Sequence, residues 1–95
     1  MKREDIERVL KEHKNYLTEH FFVSKIGIFG SYVRNDHSDE SDIDILVEFS
    51  RPVGFEFIDL KDYLESLLKK PVDLVTINAL KLYMKEEILN EVQYQ

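Results

Sequence analysis

Asp42 and Asp44 stand one residue apart at the head of Asp42-Ile43-Asp44-Ile45-Leu46-Val47-Glu48-Phe49, a run in which two sets of residues alternate. In an extended strand this spacing sends both carboxylates to one face and Ile43 to the other. Two acids so placed repel and raise each other's pKa unless a cation lies between them. An oxygen-only pair with room for water and phosphate suits magnesium or manganese. The same pair also occurs as a charged strand edge that resists aggregation. A calcium loop does not fit, because counting from Asp36 puts Ser41 where glycine is needed and Val47 where a bidentate glutamate is needed.

Two further features point the same way. Gly30-Ser31 follows directly on an apolar run, so a turn can present its backbone N–H groups and a hydroxyl where a helical turn begins, an arrangement that binds phosphate. Glycine and serine are also ordinary turn residues. Asp73 interrupts the apolar stretch Pro71-Val72-Asp73-Leu74-Val75-Thr76, which should be largely buried, and an acid there needs a partner. If its strand lies beside the Asp42–Asp44 strand, Asp73 completes a three-carboxylate cluster able to hold two metals for in-line displacement. Otherwise a salt bridge to Lys69 or Lys70, or a place at the sheet edge, accounts for it. A phosphate-cradling turn and an acid cluster on adjacent strand ends are the two halves of a nucleotidyl-transfer site. His13, His20 and His37 have no partner pattern, and Tyr32, Tyr63, Tyr83 and Tyr94 read as core or interface residues.

The elements that must position these groups are legible from periodicity. Ile6, Val9, Leu10 and Leu17 recur at helical spacing and predict an amphipathic helix from Arg3 to His20. Val23 to Gly30 reads as the first strand, and Ser31 to Ser41 as a loop opening with one helical turn. Asp42 to Phe49 is the second strand, with Ile43, Ile45, Val47 and Phe49 on one face. Phe57, Leu60, Leu64, Leu67 and Leu68 mark a long helix ending at Lys69-Lys70-Pro71. Val72 to Ile77 is the third strand, and Asn78 is an N-cap for a last helix carrying Leu82, Ile88, Leu89 and Val92. The first two strands are free to pair in either sense. The order gives an α/β (α+β) fold in which helices cover a small sheet on at least one face.

The 95 residues, 43% of them hydrophobic, fit one compact domain spanning residues 1–95. Lys and Arg number 13 against 19 Asp and Glu, a net charge of −6 that disfavours nucleic acid as a direct partner. The absence of cysteine excludes thiolate chemistry and Cys-ligated zinc and suits a reducing cytoplasm. No apolar run is long enough to span a bilayer, and Met1-Lys2-Arg3-Glu4-Asp5 does not open a signal peptide. The expectation is a cytoplasmic protein with no membrane association.

Phe29-Gly30-Ser31-Tyr32, then Arg34 and Asp36, then Ser41-Asp42-Ile43-Asp44-Ile45-Leu46-Val47 resembles the signature of the minimal nucleotidyltransferases (MNT domains): Gly-Ser, ten residues, Asp-x-Asp. Tyr32 to Ser41 supplies the ten. The likeness extends to Val72-Asp73-Leu74-Val75 and to Ala79-Leu80 and Ile88-Leu89, and so covers nearly the whole chain. Asn35 stands where the family usually has glycine, and asparagine tolerates a left-handed backbone better than most residues.

The resemblance implies a polymerase-β-like nucleotidyltransferase core, a small mixed sheet with helices packed on one side. It further implies an antitoxin that transfers AMP from ATP to a hydroxyl, a tyrosine in some members, of a helical HEPN-type ribonuclease toxin, forming a hetero-oligomer with it. By carry-over, Gly30 and Ser31 hold the triphosphate and Asp42 and Asp44 bind Mg2+, or Mn2+ in its place. Asp73 is the third carboxylate and candidate base, and Arg34 contacts phosphate or acceptor. Larger relatives that act on tRNA or aminoglycosides carry added domains for which 95 residues leave no room. An antitoxin that acts by stoichiometric binding, and a stand-alone antibiotic nucleotidyltransferase, are the alternatives.

Overall fold

In the computed structural model the described residues are 1–80 and 82–95, and the side chains of residues 82–84 are outside the description. The expected roles of Leu82 in the last helix and of Tyr83 therefore lie outside the described residues. In chain order the elements are α1 (Arg3–Glu12), α2 (Lys14–Phe21), β1 (Val23–Phe29), α3 (Ser31–Arg34), β2 (Ile43–Phe49), α4 (Phe55–Leu68) and β3 (Val72–Thr76). A 3-10 turn (Ile77–Ala79), α5 (Leu82–Glu91) and the two-residue β4 (Gln93–Tyr94) follow.

The single helix expected from Arg3 to His20 is two helices. His13 leaves helical geometry at φ −104°, ψ 8°, and its imidazole Nδ1 lies 2.9 Å from the Val9 carbonyl oxygen. Ile6 and Leu10 of α1 and Leu17 of α2 nonetheless enter one core. Asn78 is not the N-cap of the last helix, because it sits inside the 3-10 turn that ends β3 and α5 starts only at Leu82.

The sheet order is β3-β2-β1-β4. β1 runs antiparallel to β2 and β4, and β2 parallel to β3. This settles the pairing sense that the loop after β1 left open, and gives the mixed sheet that was expected. The period-two alternation of β2 sorts its residues between two layers. Ile43, Ile45 and Val47 join Ile26 and Ile28 of β1 beneath α1, α2 and α4, with Leu60, Leu64 and Leu68 as the α4 contribution. Leu46 points the other way, where Phe29, Ile88 and Val92 form a second, smaller cluster. The main helical layer thus lies on one face, and α5 adds partial cover to the other.

The strand β4 depends on a residue without a side chain. A Cβ on Gly27 would stand 2.7 Å from the Gln93 carbonyl oxygen and 2.9 Å from a Val92 methyl, closer than real contacts allow. Helix α4 ends at Lys69, which is left-handed at φ 56° and donates its N–H to the Glu65 carbonyl at 2.8 Å. Lys69→Gly is expected to raise stability by about 0.5–1 kcal/mol, the left-handed penalty less glycine's extra unfolded-state entropy. The check is a higher urea midpoint at unchanged m-value. Among the described residues no helix is long and apolar enough to cross a membrane.

Candidate active site

Asp44 lies at the centre of the acid cluster because of its register. It pairs with Phe29 across the antiparallel ladder and with Asp73 across the parallel one. Register partners on adjacent strands present their side chains to the same face, so Asp44 and Asp73 stand side by side on the face that carries α5. Asp42 precedes them just before β2 and is exposed, and Asp44 is half-buried. The Asp44 carboxyl is pushed up to about 6, chiefly by burial and then by the negative charges of Asp73 and Asp42. Glu91 adds to the shift and Arg34 opposes it.

Asp73 is not buried as its apolar neighbours suggested. Strand β3 is an edge of the sheet, and Val72 and Leu74 take the core side, so Asp73 faces outward. Nor does Lys70 serve as its partner, since that ammonium donates to the Asp39 carbonyl at 2.6 Å.

Above the acids lies the glycine turn. Gly30 caps the short helix α3 at φ 75°, ψ −148°, a conformation open essentially to glycine alone. A Cβ there would overlap Asp44 Oδ2 and lie 3.0 Å from its carboxyl carbon. The missing side chain is therefore what allows the Asp44 carboxylate to approach the turn. Ser31 begins α3 and is half-buried. Asn35 closes α3 in the left-handed conformation at φ 63°, which asparagine tolerates better than most residues.

A cavity of about 320 Å³ joins these groups, with Gly30, Arg34, Asp44 and Asp73 in its lining. Four of the six residues named from the sequence thus meet at one cavity. Ser31 and Asp42 flank it in the chain without lining it. The residue that sequence reading missed is Glu91, the last of α5. Its Oε1 accepts the Gly30 N–H at 2.7 Å and its two oxygens accept from Arg34 Nη1 at 3.2 and 3.4 Å. Glu87, one turn earlier, also lines the cavity. The available signal was the i, i+4 pair of acids flanking Ile88, which places both on one helix face.

A larger cavity of about 540 Å³ lies at the far end of β2, between Ser50, Arg51, Pro52 and Asn78. Glu48 and Arg51 are its charged lining residues, so it lacks the paired acids and the glycine turn. Size alone does not select a site of chemistry, and the smaller cavity holds the groups that could perform it.

The carboxylates fit a divalent cation. The cradle at Gly30 is shaped by an absent Cβ, and the raised Asp44 carboxyl is a charge waiting for a counter-charge. Among the described residues no three acidic or imidazole groups enclose an ion by themselves. The set is open, which is how magnesium is usually held, by one or two carboxylates with substrate phosphate and water completing its shell.

The sequence profile of the nucleotidyltransferase domain family matches residues 10–95. The chain belongs to that family. Protein adenylyltransferase MntA of the archaeon Thermococcus cleftensis is 48% identical over 92 residues, which span 96% of this chain and 93% of that one. A solved structure assigned to the minimal nucleotidyltransferases superposes with a TM-score of 0.81 at 30% identity, covering 98% of this chain and 95% of the other. The fold is also shared, at 21% identity and a TM-score of 0.65, with one chain of a solved complex between a tri-AMPylated Shewanella oneidensis HEPN toxin and an MNT antitoxin, over 99% of this chain and 71% of that one.

Proposed function

We propose that this nucleotidyltransferase is an antitoxin that transfers AMP from ATP to a hydroxyl, most simply a tyrosine, of a HEPN-type toxin and thereby neutralises it. The observation that carries the reading is the joining of Asp44, Asp73 and the Gly30 turn at one cavity. The adenylyl group, the toxin and the assembly with it are carried over from the relatives, one of them a protein adenylyltransferase and another a complex with an AMPylated toxin.

In this reading Asp42 and Asp44 would hold Mg2+ or Mn2+, and Asp73 stands beside them as the base. When bound, the cation supplies charge neutralisation at the phosphates. Gly30 and Ser31 receive the triphosphate through an N–H and a hydroxyl, and Arg34 contributes a guanidinium suited to phosphate oxygens. The acceptor oxygen bonds to the α-phosphorus as the bond to the β-phosphate oxygen breaks, and pyrophosphate leaves. Asp73 is exposed at the cavity rim, where an incoming hydroxyl can reach it, and takes the hydroxyl proton.

Asp73→Asn is expected to stop transfer while leaving ATP and metal binding within about threefold of wild type, the pattern of a base more than of a ligand. Metal titration by calorimetry next to a transfer assay decides between the roles. Loss of both functions would make Asp73 a ligand, and loss of neither would return it to the sheet edge.

The proposal as a whole is tested by incubating the chain with Mg2+, a HEPN-type toxin as partner and ATP labelled at either the α- or the γ-phosphate. Label should pass to the partner from the α position only. Suppression of the partner's ribonuclease with no label transferred would favour an antitoxin that acts by binding alone.

A further inference from the structure

We propose that Glu91 competes with the nucleotide's phosphate for the Gly30 N–H and for Arg34, and so sets the affinity of the site for ATP. The inference rests on the nucleotidyltransferase reading of the cavity and goes beyond it. Two donors suited to a phosphate oxygen, one backbone N–H and one guanidinium, both converge on this carboxylate. Carboxylate and phosphate oxygens are both acceptors with no proton to offer, so the two cannot share one N–H. Glu91 also adds its charge to a cavity that already holds Asp44 and Asp73, and it contributes to the raised Asp44 carboxyl. A polyanion entering with Glu91 in place would meet that repulsion as well as an occupied seat.

Rotation of the side chain is enough to clear the seat. The Glu91 side chain is 25% exposed, so solvent is within reach. The chain just beyond it is fixed, because Gln93 and Tyr94 pair with Ile28 and Gly27, and the Gln95 N–H donates to the Ile26 carbonyl at 2.8 Å. Competition of this kind lowers apparent affinity by the fraction of time the seat is taken, without changing the contacts ATP makes once bound.

Glu91→Gln keeps the shape of the side chain and removes its charge, and Glu91→Ala removes both. Calorimetric titration with ATP and Mg2+ should give both variants about threefold to tenfold tighter binding than wild type, the scale of removing one competing charge from a partly exposed site. The second readout needs no nucleotide. The chain has three glycines, so a 15N-glycine sample gives three amide signals. The Gly30 signal should move in Glu91→Gln while those of Gly27 and Gly54 stay. Equal or weaker ATP binding by the variants, with wild type binding normally, would overturn the competition. A Gly30 signal unmoved by Glu91→Gln would overturn it too. Failure of all three proteins to bind ATP, with Gly30 still responding, would overturn the nucleotidyltransferase reading and the competition with it.

Discussion

Asp44→Asn is expected to abolish AMP transfer, by ~1000-fold or more if several kcal/mol of transition-state stabilisation depend on this carboxylate, and at the same time to raise thermal stability at neutral pH. Both effects have one origin. Asp44 is held half-buried among Asp73, Asp42 and Glu91, and its carboxyl is raised from 3.8 to about 6. The folded chain therefore holds this proton more tightly than the unfolded chain does. The stability contributed is fully present below about pH 4 and is lost as pH rises through about 6. At pH 7 the ionised carboxylate is a cost that asparagine does not incur, on the order of 1 kcal/mol once solvent screening at a half-exposed site is allowed for. Thermal unfolding of wild type and variant should give a gap that is widest at pH 7 and closes near pH 4. Added Mg2+ should narrow it at pH 7 by stabilising wild type alone. A variant less stable than wild type at pH 7 would contradict the electrostatic account of the cluster.

Gly30→Ala carries the second large effect. The substitution forces a side chain into a backbone region where residues other than glycine pay ~1–3 kcal/mol, and it drives a methyl into the Asp44 carboxylate. Asp44 must then rotate away from the turn. The expected result is a loss of transfer of ~100-fold or more, because acid and turn no longer face one substrate, with a lower melting temperature. A double-mutant cycle separates backbone strain from collision. In an Asp44→Ala background the stability loss from Gly30→Ala should shrink, leaving only the backbone part. An equal loss in both backgrounds would mean that the glycine serves the turn alone.

The site was legible to the extent that it is local. Asp42-x-Asp44 on a strand fixes a shared face by the pleat, and Gly30-Ser31 after an apolar run marks a turn, so both halves could be read from spacing. Asp73 needed a long-range fact, the parallel pairing of β2 with β3, and its exposure needed another, that β3 is a sheet edge. Glu91 was missed because its partner Gly30 is 61 positions away, and its i, i+4 pairing with Glu87 does not by itself tell it from a solvated helix acid. The same division holds in the fold. The alternation of Ile43, Ile45 and Val47 places them in the main core as expected. The break at His13 does not follow from periodicity, since Ile6, Leu10 and Leu17 keep helical spacing across it. β4 is two residues long, too short for any period, and it pairs where it does because Gly27 leaves room for the chain.

The most direct measurement of the central claim is the position of a bound cation and nucleotide. A crystal of the chain with Mn2+ and a non-hydrolysable ATP analogue, measured for anomalous scattering from manganese, locates both. The expected result is a manganese peak between the carboxylates of Asp42 and Asp44 and the analogue's phosphate oxygens, with the Gly30 N–H and Arg34 turned from Glu91 to phosphate. A nucleotide seated instead in the larger cavity beside Arg51 and Asn78, with no manganese at Asp44, would contradict the account.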